Sequence, residues 1–482
     1  MSFSEKNKAV FLISISVILY FFFAYFLERT AFYMLLFLWL SLFAAFYFLV
    51  KNKSISFATY VAIMLLFRIV FLFSIPNLSQ DFYRFIWDGR MILNGFNPYL
   101  SLPETFIQQN LTPVSNTVEL YRGMGELNGS HYTNYPPLNQ LCFLIAALFA
   151  SKSIFGSVIV LRSIIILADI GILYFGKKLL ERLNLPIKNI FWYLLNPFIV
   201  IEITGNLHFE SVMLFFFVWG LYKLHQQKWI WAAVLIACSV SVKLIPLLFL
   251  PLFFQWFVPL FNFKKEENSE HKLMSVRALL NLKDLLNEDS KPSLSRTTQF
   301  LKLTAFYTII LATTLLLFLP FYSSELIANY SNSVGLWFRN FEFNASFYYI
   351  FREIGYLFRG YNEIAIIGKI TPILTILVLI YISFFRKNNN LTQLITAMLF
   401  GLCFYYFTAT TVHPWYLATP LILSVFTKYK FPIVWTFVVI VTYQAYANNP
   451  WKENLWLVAL EYLIVFSVLI LELQQNYKIK KM

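Results

Sequence analysis

Long apolar runs follow one another along almost the whole chain. Residues 11–26, 31–50 and 303–319 approach or reach the roughly 20 apolar residues a helix needs to cross a bilayer, and further runs lie between them. In hydrocarbon every backbone N–H and C=O must be paired within the protein, so such a chain folds as a helical bundle. Of the 482 residues, 59% are hydrophobic, 20% aromatic and 13% charged, against about 25% charged in soluble domains. A soluble enzyme is thereby excluded. Run 11–26 lacks a small-residue cleavage site and a second run follows at once, so it reads as a retained span. Cys142, Cys238 and Cys403 sit inside apolar segments without ligand-type spacing, which argues against a disulfide framework or a zinc site.

The formal net charge of +14 reads as the Lys and Arg excess of loops kept in the cytoplasm, not as a nucleic-acid partner. Placing Lys6 and Lys8 inside puts Lys51 and Lys53 inside after two crossings and loop 77–135 outside after the third. Lys177, Lys178, Arg182 and Lys188 are inside again, which leaves room for one crossing, 156–175. Stretch 138–150 is then too short to span and reads as an interfacial or re-entrant helix on the outer side. Run 189–203 rises, 207–224 descends, and 230–260 rises and returns if it breaks near Pro246 and Pro251. The amphipathic run 273–286, inside the hydrophilic stretch 261–302, suits a helix on the inner leaflet. Later loops alternate: 322–363 outside, 386–390 inside, His413 outside, 428–430 inside, 448–454 outside, 478–481 inside. The expectation is an all-α polytopic bundle of about 12 to 14 spans.

On this topology the polar residues that lipid cannot explain gather at one membrane surface, in 76–137, 205–210, 339–344 and 413–416. Ionisable groups at such depth are expensive and mark candidate function. Asp81 stands where a span leaves the membrane; held close to a hydroxyl it serves as a general base, and otherwise it caps a juxtamembrane helix whose buried face is Phe82, Phe85 and Ile86. Three basic residues stand out: Lys243 at the turn before Pro246, Arg339 in 337–340, and Arg162, which shares a helix face with Asp169. Arg162 and Asp169 equally suit a structural pair, and Lys243 equally suits snorkelling to headgroups. His208 and Glu210 follow Gly205-Asn206 at an outer helix start, where backbone amides favour an anion, and His413 precedes Pro414-Trp415. Trp337, Trp415, Tyr416 and Tyr135 either stack on a ligand or belong to the interfacial aromatic belt. There is no phosphate-binding Gly-x-x-x-x-Gly-Lys-Ser/Thr loop and no Gly-rich dinucleotide fingerprint.

The first outer loop resembles that of the GT-C glycosyltransferases, especially the bacterial polyprenyl-phosphate-mannose-dependent mannosyltransferases. The residues that carry the resemblance are Asp81, Tyr83, Arg84, Trp87-Asp88-Gly89-Arg90 and Gly95 to Tyr99. It recurs in Tyr135-Pro136-Pro137-Leu138, Leu161-Arg162 with Ala168-Asp169, Asn196-Pro197, Gly205 to Glu210, Lys243 to Pro246 and His413 to Tyr416, in order over most of the chain. Position 80 departs from the family's acidic pair, being Gln80; this leaves Asp81 as the candidate base and weakens metal chelation. The resemblance implies an inverting transfer of a hexose, mannose first, from a polyprenyl phosphate to an extracytoplasmic glycan, lipid or protein acceptor. No cofactor is called for, and a metal requirement is left open. Asp81 would be the base; Lys243, Arg339 and Arg162 would meet the phosphate, since such a leaving group departs as an anion. Arg84, Trp87, Asp88, Asn97, Tyr135, His208, Glu210 and His413 would contact sugar or acceptor. The modules expected are a GT-C catalytic module over residues 1–260, a cytoplasmic loop 261–302 and a C-terminal membrane module over residues 303–482, in a bacterial inner membrane. Two other readings stand beside this one: a secondary transporter or lipid flippase using intramembrane Arg162, Asp169 and Glu202, and a ligase or polymerase of lipid-linked glycans.

Overall fold

The computed structural model describes residues 3–259, 296–339 and 341–481. The expected inner-leaflet helix at 273–286 lies outside the described residues. Helix Arg296–Phe318 begins within the expected loop 261–302. Among the described residues the fold is helical throughout, with one isolated bridge, Phe343 to Thr411.

Among the described residues seven helices are long and apolar enough to cross a membrane: Glu5–Phe26, Phe32–Lys51, Ile154–Arg182, Arg296–Phe321, Ile364–Phe385, Leu391–Thr408 and Leu455–Lys478. The protein is thus a multi-pass membrane bundle. An eighth element is a pair, Ile199–Gly205 and Glu210–His225, bent by 108°. The roughly 12 to 14 spans expected from hydropathy are reached only by adding shorter apolar helices such as Phe57–Phe71, Trp229–Val240 and Phe431–Ala447. The long run 230–260 breaks earlier than its prolines, at 241–244, and continues as the 3-10 turns Ile245–Phe253. Segments that the charge rule places inside meet one another: Lys188 Nζ donates to the Ile55 carbonyl at 2.8 Å, and Gln255 Nε2 to the carbonyls of Ser383 and Arg386, each at 2.6 Å.

Buried arginines lock the middle of the bundle. Arg68 Nε meets Asp169 Oδ2 at 2.7 Å with both side chains at 0% exposure, and Arg68 Nη1 donates to the Leu194 carbonyl at 2.9 Å. Ser211 Oγ donates to Asp169 Oδ1 at 2.6 Å. Asp169 is therefore the partner of Arg68 and not of Arg162. Sharing a helix face seven residues apart left Arg162 able to turn elsewhere, and it donates to the carbonyls of Leu72, Ser74, Thr204 and Gly205 at 2.6–3.1 Å. Those oxygens stand at the end of Phe57–Phe71 and in the π-helical turn Ile199–Gly205, where regular pairing fails; a guanidinium has the five donors to satisfy them.

Loop 77–135 is a folded unit. Its helix Asp81–Leu93 crosses helix Pro137–Ala150 so closely that a Cβ on Gly89 would lie 2.1 Å from the Phe143 carbonyl oxygen. This explains the glycine in Trp87-Asp88-Gly89-Arg90. Trp87 is buried near Phe106, and Arg90 Nη1 donates to the Ser115 carbonyl at 2.6 Å. The motif is the scaffold of the loop.

Two stability outcomes are expected in detergent melting experiments. Gly89→Val should destabilise by at least the roughly 1–3 kcal/mol typical of overpacking, and Asp169→Asn by about 3–5 kcal/mol because it strands a buried guanidinium. An unchanged melting temperature for either would contradict the packing described.

Candidate active site

A cavity of about 890 Å³ opens at the end of the bundle that carries the first loop. Its wall is of two kinds. One side is polar and aromatic, including Asp81, Arg84, Asn128, His208, Lys243 and His413; the other is apolar, with Leu247, Leu248 and Pro251 from the 3-10 turns and Pro372, Ile376 and Leu379 from helix Ile364–Phe385.

Asp81 is the first residue of helix Asp81–Leu93, and the position before it, Gln80, makes no side-chain cap. The carboxylate does not cap the helix. It accepts a long hydrogen bond, 3.4 Å, from Asn128 Nδ2 and lines the cavity. Burial raises its pKa above the ordinary value of 3.8, while Lys243, Asn128, Arg29 and Ser79 pull it back down. Its position is set from behind: the Leu78 amide donates to Asn206 Oδ1 at 2.9 Å. Beside it, Arg84 donates to Asp88 at 2.8 Å and to the carbonyls of Asn128 and His131 at 2.6 and 2.8 Å, so Arg84 ties the far strand of the loop to the helix.

Lys243 enters from the 241–244 break. The amide of Leu138 donates to the Ser241 carbonyl at 2.9 Å, which docks this turn against Tyr135-Pro136-Pro137. Lys243 Nζ is paired with Glu210, and Glu210 touches the cavity through that pairing and not as a residue of its wall. The bend at 205–210 requires a left-handed residue, Leu207, with φ of 62°, and this turns His208 into the cavity. The His208 ring stacks on Trp415 at 3.9 Å and 17°, and Trp415 stacks on His413 at 4.4 Å and 5°. The three rings thus form one continuous parallel stack at the edge of the cavity.

Of the residues expected from sequence, the cavity brings together Asp81, Arg84, Tyr135, His208, Lys243 and His413. Besides Glu210, four others lie outside its wall. Trp87 is in the loop interior. Asp88 is held by Arg84 and by Gln140 Nε2 at 3.0 Å. Asn97 donates to the Phe321 carbonyl at 2.8 Å and caps the Tyr99 amide. Arg162 has its donors on the four carbonyls named above, so the expected phosphate role is not where the structure puts it. Arg339 closes helix Leu326–Arg339, and its side chain lies outside the described residues. Sequence reasoning missed Arg29, Asn128, His131, Tyr446 and Trp451 in the wall. Arg29 lies over the Tyr446 ring at 4.3 Å and donates to the Leu78 carbonyl at 3.3 Å; a charged pair, Glu28-Arg29, in the short turn between two apolar runs was the available signal.

The architecture is that of a multi-pass membrane protein with an amphipathic cavity fed from several helix ends. A family model described as alpha-(1->6)-mannopyranosyltransferase, N-terminal domain, matches residues 9–259. That is just over half of the chain, and the protein belongs to this family of membrane glycosyltransferases. No curated protein and no solved structure matches it.

Accessibility tests the wall directly. In a Cys238→Ala background, with Cys142 and Cys403 buried, cysteines at Trp451 and His131 are expected to react with a membrane-impermeant maleimide added to intact cells. A cysteine at buried Ala146 should not. Labelling of the first two only after the cells are opened would contradict the outward placement expected from the charge rule.

Proposed function

We propose that the protein transfers mannose from a polyprenyl-phosphate donor to a hydroxyl of an extracytoplasmic glycan, lipid or protein acceptor, with inversion, in a bacterial inner membrane. The observation that carries this reading is the cavity's division into a polar and an apolar side. A polyprenyl-phosphate sugar has a polar head and an apolar tail, and the phosphate is the joint between them. Lys243 stands at the corresponding joint of the wall, directly before Leu244 and Ile245, which open the apolar side.

In this reading Asp81 takes the proton of the acceptor hydroxyl as its oxygen bonds to the sugar's C1. The C1–O bond to the phosphate breaks, and the electron pair leaves on the phosphate. Inversion needs the acceptor and the leaving group on opposite faces of the ring, with Asp81 on the first-loop side and Lys243 at the slot. The Lys243 ammonium stabilises the departing charge, and Glu210 holds it in place until then. The stacked rings of His208, Trp415 and His413 turn their polar and aromatic edges toward the space a sugar would occupy. The transporter reading loses two of its three intramembrane carriers, since Arg162 and Asp169 are committed to structural partners.

The test is release of polyprenyl phosphate from polyprenyl-phosphate mannose in membranes containing the protein and acceptor. Asp81→Asn should lower the rate by about 10²- to 10⁴-fold, the usual contribution of a general base. Release equal to wild type would exclude Asp81 as the base, and no release from any lipid-linked hexose by folded wild type would exclude the donor class.

The pH profile gives a second check. A base must be ionised, so activity should fall on the acid side through a midpoint above the ordinary carboxylate value, because burial raises the Asp81 pKa. Arg29→Gln removes a charge that lowers this pKa and should move the midpoint to higher pH. A shift to lower pH would contradict the assignment.

A further inference from the structure

Behind the ring stack lies an acid that none of the catalytic steps above uses. Glu202 sits in the π-helical turn Ile199–Gly205 and is fully buried. Its Oε1 accepts from Tyr443 Oη at 2.7 Å. Among the described residues its Oε2 has no hydrogen-bond partner, and neither has His208 Nε2, also buried. These two orphaned atoms face each other at 3.9 Å.

A buried polar atom without a partner is unfavourable and calls for an explanation. Here each orphan has the other within about 1 Å of hydrogen-bond distance. The rest of His208 is constrained: Leu207 fixes the backbone in the left-handed region, and Trp415 fixes the ring plane by stacking. With Nε2 aimed at Glu202, Nδ1 is the nitrogen available to the cavity that His208 lines. Which nitrogen of a neutral imidazole carries the proton is decided by the hydrogen bond made at the other one.

We infer that Glu202, oriented by Tyr443, is a positioning residue that holds His208 as the Nε2–H tautomer, so that Nδ1 presents a lone pair to a hydroxyl of the bound sugar or acceptor. The role of His208 rests on the transfer reading above. Glu202 touches no substrate; it acts through the imidazole. Tyr443 keeps one carboxylate oxygen occupied, which leaves the other for His208. Glutamine at 202 can offer an N–H to His208 Nε2, and that would reverse the tautomer and turn Nδ1 into a donor.

The first readout is independent of activity. In ¹⁵N-histidine-labelled full-length protein, the His208 signals, assigned among five histidines by their loss in His208→Ala, should show a protonated Nε2 and an unprotonated Nδ1. Glu202→Gln should exchange the two. The second readout is kcat/KM for polyprenyl-phosphate release, expected to fall on the order of 10- to 100-fold in Glu202→Gln, as for other residues that orient a functional imidazole from behind, and by less in Tyr443→Phe, which keeps the ring packing. In a His208→Ala background Glu202→Gln should add no further loss, because coupled residues are non-additive. A wild-type His208 protonated at Nδ1, or at both nitrogens, overturns the inference, as does an undiminished Glu202→Gln effect when His208 is absent. If wild type releases no polyprenyl phosphate, the transfer reading fails while the tautomer measurement still decides this one.

Discussion

Arg162 holds the place where the bundle gives up regular helix. Between Ile199 and Glu210 the chain passes through a π turn, a left-handed Leu207 and a 108° bend, and each of these leaves carbonyls that lipid cannot solvate. The Arg162 guanidinium accepts that burden for Thr204 and Gly205 and for Leu72 and Ser74 at the end of Phe57–Phe71. Fixing the two ends together brings the start of the first loop against the bend. There Asn206 fastens Leu78, three residues from Asp81.

Everything in the cavity follows from that juncture. The bend delivers His208 to the wall and Glu210 to Lys243. The first loop folds back over it, stapled by Arg84 to Asn128 and His131, and by the Tyr99 hydroxyl to the Tyr135 carbonyl at 2.6 Å. The C-terminal half supplies the far side. Phe343 exchanges backbone hydrogen bonds with Thr410 and Val412, and its neighbour Asn344 takes the Glu453 carboxylate on its amide at 2.8 Å. This sets the segment that carries His413 and Trp415. Cavity-lining and scaffold residues are thus drawn from the same short motifs.

The alternation of apolar runs with basic loops made the helical membrane bundle and the clustering of loops at one end legible in the sequence. Motif resemblance then led to Asp81, Lys243, His208 and His413, which do meet. It also offered Trp87, Asp88 and Asn97, whose types suit sugar binding equally well; only packing shows that Asp88 answers Arg84 and Gln140. Helical spacing identified the face shared by Arg162 and Asp169 but could not identify partners on other helices, Arg68 among them. The apolar slot was invisible for a plainer reason. Leucines and prolines in a membrane helix carry no mark that distinguishes a lipid-facing position from a cavity wall. Trp451 and Tyr446 likewise look like any aromatic belt residues until the fold sets them beside Arg29.

The central claim is that one cavity holds a lipid-linked sugar with its phosphate at Lys243, its sugar toward Asp81 and its tail between the 3-10 turns and helix Ile364–Phe385. Photocrosslinking measures this most directly, using a polyprenyl-phosphate mannose that carries a diazirine in the first isoprene units, followed by peptide mapping. The account predicts adducts on Leu247, Leu248, Ile376 or Leu379, suppressed by unlabelled donor and weakened by Lys243→Met. Adducts confined to the outer surfaces of the membrane helices, with no competition by unlabelled donor, would contradict it.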